Sequence, residues 1–568
     1  MVKKLRTALN EYWQNDLTAK QYTLAMMVLF GLKLILVACQ MIEIFPDGAP
    51  VDDELMFAAA QSIGAGQWLG EYGWATIAKS MGFAVYLAIV HALHIPYLIA
   101  NALLWAAACV AAAAALAPLF RRRVERLAVI FVLWFSPFAT AQFTLRVYRD
   151  SILPQLILLS FAGVMGCCLR WNEALKKQLP WAALAGFATA ACRLVRDDAI
   201  WIYPFVGCAM LAWAVWVLLE KKVFGKKMLQ IGSVVLVLAA CFAVPVTAYC
   251  GMNYKYYGRF IINESNASEF TAAISAMQMA DADLPHAGIA VCSETRRALY
   301  AASPTAAELG AVLESNTYYH GLGWEELHEF NSGGFFWAVR RAAFDAGFAD
   351  TAEKAEAFYA TIADELNAAY EAGTLTATNS GTLSSFLVPW HSSFLAPTVK
   401  EIGSSLRCLL FFEQTDSRAP LSMATMEQAQ QWEAYTYTKA SNIAKPNTAD
   451  PYYYPHQVVA EWLFTAIRWC YRVLALPSLV LFAISMCRRL KGLFTAPKAW
   501  FGSSDAMAGI LMLGLAMSSV LRIVLMSYIE VTNFRIGTYL LYLSGSGMIT
   551  VLCAAIGTAW GLRKLYIQ

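Results

Sequence analysis

The chain alternates long apolar runs with short charged stretches. Stretches of about 20 mostly apolar residues are long enough to cross a bilayer as helices. Such runs fall at roughly 22–45, 97–119, 127–145, 152–170, 181–195, 199–219, 228–250, 464–487, 506–527 and 538–561. They predict about ten transmembrane helices. Segment 80–93 is also apolar, but short. The segment 251–460 reads differently. Its Asp350–Gly373 stretch puts Ala355, Phe358, Tyr359, Ile362 and Leu366 on one helical face, with Asp350 or Thr351 as N-cap and Gly373 as C-cap. Trp337–Gly347 predicts a second helix ended by glycine. The expected fold class is therefore an α-helical polytopic membrane protein with a mainly helical extracytoplasmic domain inserted between spans. Its parts are an N-terminal transmembrane module over 1–250 with a first outer loop at 46–96, the inserted domain at 251–460, and C-terminal spans over 461–568.

Charge orients this pattern. Basic clusters stand at Lys3-Lys4-Arg6, Arg121-Arg122-Arg123 with Arg126, Arg170 with Lys176-Lys177, Lys221-Lys222 with Lys226-Lys227, Arg488-Arg489 with Lys491, and Arg563-Lys564. Lys and Arg in short loops favour the cytoplasm. All the clusters fall on one side only if 80–93 lies on the surface or re-enters. Both termini are then cytoplasmic, in a membrane read as a bacterial plasma membrane. The basic N-terminus is long and polar and no small-residue cleavage site follows it, so the first run is read as a retained span.

Composition agrees. Hydrophobic residues make up 59% and charged residues 15% of the 568, against about a quarter charged in soluble domains. A net charge of +3 leaves no nucleic-acid footprint. The 13 cysteines contain no CxxC, and most lie in apolar runs. Cys292 and Cys408 fall in the polar segment, where a disulfide is an open alternative. The seven histidines, His91, His94, His286, His320, His328, His391 and His456, offer no metal spacing beyond His91-x-x-His94, on an apolar segment. No GxSxG, P-loop or GxGxxG element occurs, so an activated donor is expected to be a lipid. Asn263-Glu264-Ser265 and Asn266-Ala267-Ser268 are formal glycosylation sequons.

The informative chemistry is charge at the predicted outer ends of spans, because an ionised group within lipid is costly. Asp52-Asp53-Glu54 opens the first outer loop. Its acids fit either a general base or an N-cap for the helix that follows. Lys79 precedes the short segment and fits a phosphate ligand or a headgroup anchor. Arg146, Arg149 and Asp150 form a second cluster, Arg193, Arg196, Asp197 and Asp198 a third, and Arg522, Glu530 and Arg535 a fourth. Arginine forks bind phosphate through paired, charge-assisted hydrogen bonds. The same residues equally suit an ion-pair network between helices.

The acidic pair after the first span, Gly66–Tyr72 and Thr76-Ile77-Ala78-Lys79 together resemble the GT-C superfamily of membrane glycosyltransferases. The relatives it resembles are the protein O-mannosyltransferases and the lipid A aminoarabinose transferases. The run Arg193-Leu194-Val195-Arg196-Asp197-Asp198 is similar to a segment where those enzymes carry an arginine and an acid between spans. Many relatives follow the lysine with Gly-Pro, where this chain has Ser80-Met81-Gly82. The resemblance implies a polyprenyl-phosphate sugar donor and an acceptor hydroxyl on a cell-surface glycan, lipid or protein. It assigns the base, or a ligand to a divalent metal beside it, to Asp52 or Asp53. It assigns phosphate contacts to Lys79, Arg146, Arg149 and, more loosely, Arg196. Arg193, Arg522 and Arg535 complete the expected substrate-binding set. A transporter or flippase for a charged lipid or polysaccharide is the alternative, the arginines then lining a path. A scaffold role for 251–460 is a third.

Overall fold

In lipid a backbone must satisfy its own hydrogen bonds, and the apolar runs of this chain do so as helices. The computed structural model describes residues 16–220, 223–265, 268–280, 288–315, 329–377 and 390–567. Lys3, Lys4, Arg6, Lys221, Lys222, Asn266, His286, His320 and His328 lie outside the described residues. Among the described residues the elements are helices and turns, with only isolated β-bridges.

The first part runs through α1 (Ala19–Ala38), α2 (Leu55–Gly64), α3 (Gly82–Ala92), α4 (Tyr97–Ala115), α5 (Arg123–Trp134), α6 (Leu153–Cys168), α7 (Leu175–Val195), α8 (Tyr203–Leu219) and α9 (Phe224–Tyr257). A middle group follows: α10 (Glu269–Met279), α11 (Ser293–Ala302), α12 (Pro304–Leu313), α13 (Ser332–Asp345) and α14 (Ala352–Glu371). The chain then returns through α15 (Leu395–Leu410) and α16 (Met426–Thr436) to α17 (Pro455–Thr495), α18 (Ser504–Ile529) and α19 (Leu540–Ile567).

Among the described residues, seven helices are long and apolar enough to cross a membrane, the build of an integral membrane protein. The number rises to eight if a bent pair is one span. That pair replaces the continuous helix expected over 127–145. Pro137 follows Ser136, and the chain turns by 52° between Arg123–Trp134 and Pro137–Leu145, as a missing N–H and the proline ring dictate. The expected span at 152–170 is the 16-residue α6, almost wholly buried and short for a crossing. The one expected at 181–195 is α7, which carries Lys176, Lys177 and Arg193 near its ends. Segment 80–93 contains the 11-residue α3, about 16 Å long and too short to span.

Glycines bring helices into contact. A Cβ on Gly163 of α6 would stand 2.4 Å from the Ala185 nitrogen of α7. A Cβ on Gly557 of α19 would meet the Ser478 carbonyl oxygen of α17 at 1.9 Å. Small residues permit such approach, and van der Waals packing holds helices together in lipid.

The long polar segment divides by packing. Helices α10 to α14 enclose their own core, with Phe270, Ile274, Leu309, Phe336, Val339, Tyr359, Ile362 and Leu366 buried. In α14 the expected face is the buried one, the N-cap is Thr351, and Gly373 takes the left-handed backbone (φ 72°) after the helix end. Residues beyond 390 instead join the main core. Trp432 of α16 stacks on Phe57 of α2 at 4.1 Å between ring centroids. The Ile42 and Ser441 amides pair with Lys439 and Ile42 carbonyls across a parallel bridge. The first loop is thus pinned from both sides. All 13 cysteines are free thiols, Cys292 and Cys408 included.

Candidate functional site

One end of the bundle gathers the ends of α1, α4, α7, α8, α18 and α19, together with the loop at 39–54. Pro50–Glu54 is a wide π-helical turn leading straight into α2. Its two acids diverge because successive side chains leave a helical turn on different faces. Asp53 is fully buried. Its two oxygens accept from Arg146 Nε and Nη2 at 2.7 and 2.6 Å, a two-point pair. That fork holds the Arg146 guanidinium charged, against the pull of burial.

Asp52 keeps about a third of its side chain exposed. Its Oδ1 accepts from Lys79 Nζ at 2.5 Å and from the Tyr148 hydroxyl at 2.8 Å. Burial opposes its charge, yet the Lys79 and Arg149 charges and these two donors hold the carboxyl well below the usual range. Lys79 sits at the end of a turn just ahead of α3, beneath the Trp337 ring at 5.0 Å from the centroid.

Further along the same end, Arg149 Nη1 reaches Asp197 Oδ2 at 3.3 Å, and Arg193 Nη1 stands 3.9 Å from Asp197 Oδ1. Asp197 also accepts from Ser80 Oγ at 2.6 Å and from Asn263 Nδ2 at 2.6 Å. Arg196 bridges Asp150 and Asp198, and Arg522 Nη1 of α18 donates to Asp198 at 2.6 Å. Six bases (Lys79, Arg146, Arg149, Arg193, Arg196, Arg522) therefore meet five acids (Asp52, Asp53, Asp150, Asp197, Asp198) through direct pairs.

The pairs do not use up the cluster. Arg149 Nε, Arg193 Nη1, Arg522 Nε and Asp150 Oδ2 are buried without a hydrogen-bond partner. A buried polar atom left without a partner costs about 1–3 kcal/mol, so these four atoms are the unsatisfied part of the cluster. Arg535 differs from the other basic candidates. It is exposed, with a left-handed backbone (φ 54°), in the turn after α18.

Among the described residues no group of three or more His, Cys, Asp or Glu side chains is arranged to share a metal ion. Asp52 and Asp53 each face a cation instead, so the donor set does not fit the divalent-metal alternative. His91 is stacked between Tyr435 (3.9 Å) and Tyr437 (5.3 Å), with its Nδ1 at 2.8 Å from the Tyr435 carbonyl.

Sequence reasoning named the charged residues but missed several neutral partners. Tyr148 is the middle of Arg146-Val147-Tyr148-Arg149, and a tyrosine between two arginines was an available signal. Ser80 directly follows Lys79. Trp337 had no such signal, because it comes from α13, about 260 residues after Lys79. No protein-family model and no curated protein matches the chain.

Proposed function

We propose that this protein is a membrane glycosyltransferase of the GT-C type, moving a sugar from a polyprenyl-phosphate donor to an acceptor hydroxyl at the extracytoplasmic end of the bundle. The observation that carries the reading is the Asp52 carboxylate, about a third exposed and held between Lys79 and Tyr148, next to guanidinium nitrogens that lack partners. A base and a cationic cradle are thus adjacent. Transfer needs both, because negative charge builds on the departing phosphate as the acceptor gives up its proton.

In this reading Asp52 is the base, and Asp53 is the structural partner of Arg146. The donor phosphate draws Lys79 and Arg149 onto its oxygens. Asp52 loses its cation, and its basicity rises as the acceptor arrives. The acceptor oxygen forms a bond to the anomeric carbon while its proton passes to Asp52. The carbon–oxygen bond to phosphate breaks, and its electron pair stays on the phosphate. Attack opposite the leaving group inverts the anomeric centre. The acceptor class is a cell-surface glycan, a lipid or a protein, in a bacterial plasma membrane.

Mass analysis of lipid that co-purifies with the full chain tests the donor. A polyprenyl phosphate is the expected species. Asp52→Asn should abolish transfer at unchanged protein level, and undiminished transfer by that variant would remove the mechanism.

A further inference from the structure

The lysine of the site is in contact with the middle helical group. Trp337 lies on α13, inside the group built from α10 to α14. Its ring meets the Lys79 amine at 5.0 Å from the centroid and packs edge-on to Trp74 at 5.8 Å and 82°. Three residues later on the same helix, Arg340 donates from Nε to the Trp74 carbonyl at 2.8 Å and pairs with Glu264 at 2.5 Å. Arg340 and Glu264 are 3% and 5% exposed. Residues three apart share a helical face, so one face of α13 is fastened to the Trp74–Lys79 turn at two points. The buried ion pair sets the position of the helix, and the indole then covers the amine. A further anchor of the group is the Gly288 amide on the Thr532 carbonyl at 2.7 Å, in the turn after α18.

Lys79 thus has two neighbours of different kinds: the Asp52 carboxylate, and an aromatic face supplied by a helix remote in sequence. A lysine stem has four rotatable bonds and a compact charge that follows the nearest anion. A cation over an aromatic face is attracted to it without giving up a hydrogen-bond donor. An indole is therefore a suitable restraint for an amine that must exchange Asp52 for a phosphate.

We propose that Trp337 is a positioning residue for Lys79, so that the group of helices α10 to α14 is a working part of the reacting centre and not only an appended module. This rests on the transfer reading for the purpose of Lys79, but the contact itself is testable without any substrate.

The experiment uses the full chain in lipid nanodiscs. The first measurement is the rate at which Lys79 is acylated by N-hydroxysuccinimidyl acetate, read by peptide mass spectrometry. Trp337→Ala is expected to speed labelling at least about threefold, the loss of one such contact, while Trp337→Phe keeps it slow. Equal rates in wild type and Trp337→Ala overturn the inference. An unfolding temperature of Trp337→Ala close to that of wild type guards against a general folding defect.

The second measurement is affinity for polyprenyl phosphate against the phosphate-free polyprenol. Wild type should prefer the phosphate. Trp337→Ala should weaken that preference about three- to thirtyfold, and should add nothing in a Lys79→Met background, because coupled residues are non-additive. Additive losses would make Trp337 merely structural and overturn the proposal. Equal wild-type binding of both lipids would instead defeat the transfer reading, with the labelling result still deciding the role of Trp337.

Discussion

Arg522 on α18 donates to Asp198 at 2.6 Å, although 324 residues separate them. The same guanidinium reaches the Tyr542 carbonyl of α19 through Nη2 at 3.1 Å. Asp198 in turn accepts from Arg196 at 2.7 Å, which also pairs with Asp150. The C-terminal helices are therefore joined to the N-terminal part at the candidate site itself. Removing Arg522 leaves the partly buried Asp198 sharing Arg196 with Asp150 and one carboxylate oxygen without its donor, a loss of about 1–3 kcal/mol. Arg522→Met should lower thermal stability accordingly, measured as unfolding temperature in detergent. Arg522→Lys should not restore it, because an ammonium cannot serve both acceptors with a planar fork.

The two neighbouring acids should separate by phenotype. Asp52→Asn is expected to cut transfer by at least about a hundredfold, the usual worth of a positioned base, with a smaller loss of stability than Asp53→Asn. Asp53→Asn should do the reverse in order of severity. It strands Arg146 and destabilises the fold by about 3–5 kcal/mol. Parallel unfolding and transfer assays on both variants check this, and equal stability losses would contradict the division of labour.

Stability should depend on Asp52 in an acid window. Its carboxyl is held below the normal range in the folded protein by Lys79 and Arg149, against the effect of burial. The unfolded chain then binds more protons than the folded one as pH falls through about 4. The stabilisation from Asp52 is present above that pH and is lost as acidity increases. Unfolding scans from neutral to acid pH should give a gap between wild type and Asp52→Asn that is constant at first and then narrows. A gap that widens with acid has the wrong sign.

Helix approach gives a prediction apart from the charges. Gly557→Ala would place a methyl 1.9 Å from the Ser478 carbonyl oxygen, which is backbone and cannot rotate away. Overpacking of this kind costs about 1–3 kcal/mol. Gly207→Ala, with nothing within 4 Å of its added carbon, is the matched control and should be near neutral by thermal unfolding.

Much of this was legible in the residues. Apolar length marked the helices, and the amphipathic face of Ala352–Glu371 was readable down to Leu366. The charged members of the site stood out because few charges interrupt apolar runs. What was not legible depended on tertiary contact. Nothing local distinguishes Asp52 from Asp53; their surroundings differ because Arg146 closes on Asp53 and Lys79 on Asp52. The break at Pro137 was hidden within an apolar run that satisfies a length test. The division of 251–460 was hidden too, since Trp432 and Phe270 are both aromatic residues on helices, and only packing assigns them to different cores.

Asn263 carries a last consequence. Its Nδ2 is bonded to Ser80 Oγ at 2.8 Å and to Asp197 at 2.6 Å, and the residue is 2% exposed. A glycan attached to that nitrogen would replace one of its hydrogens and force the side chain out of its niche. Production in a eukaryotic secretory host therefore risks trapping newly made chains before Asp197 is seated. Asn263→Gln, the routine remedy for an unwanted sequon, would disturb the very carboxylate it was meant to spare.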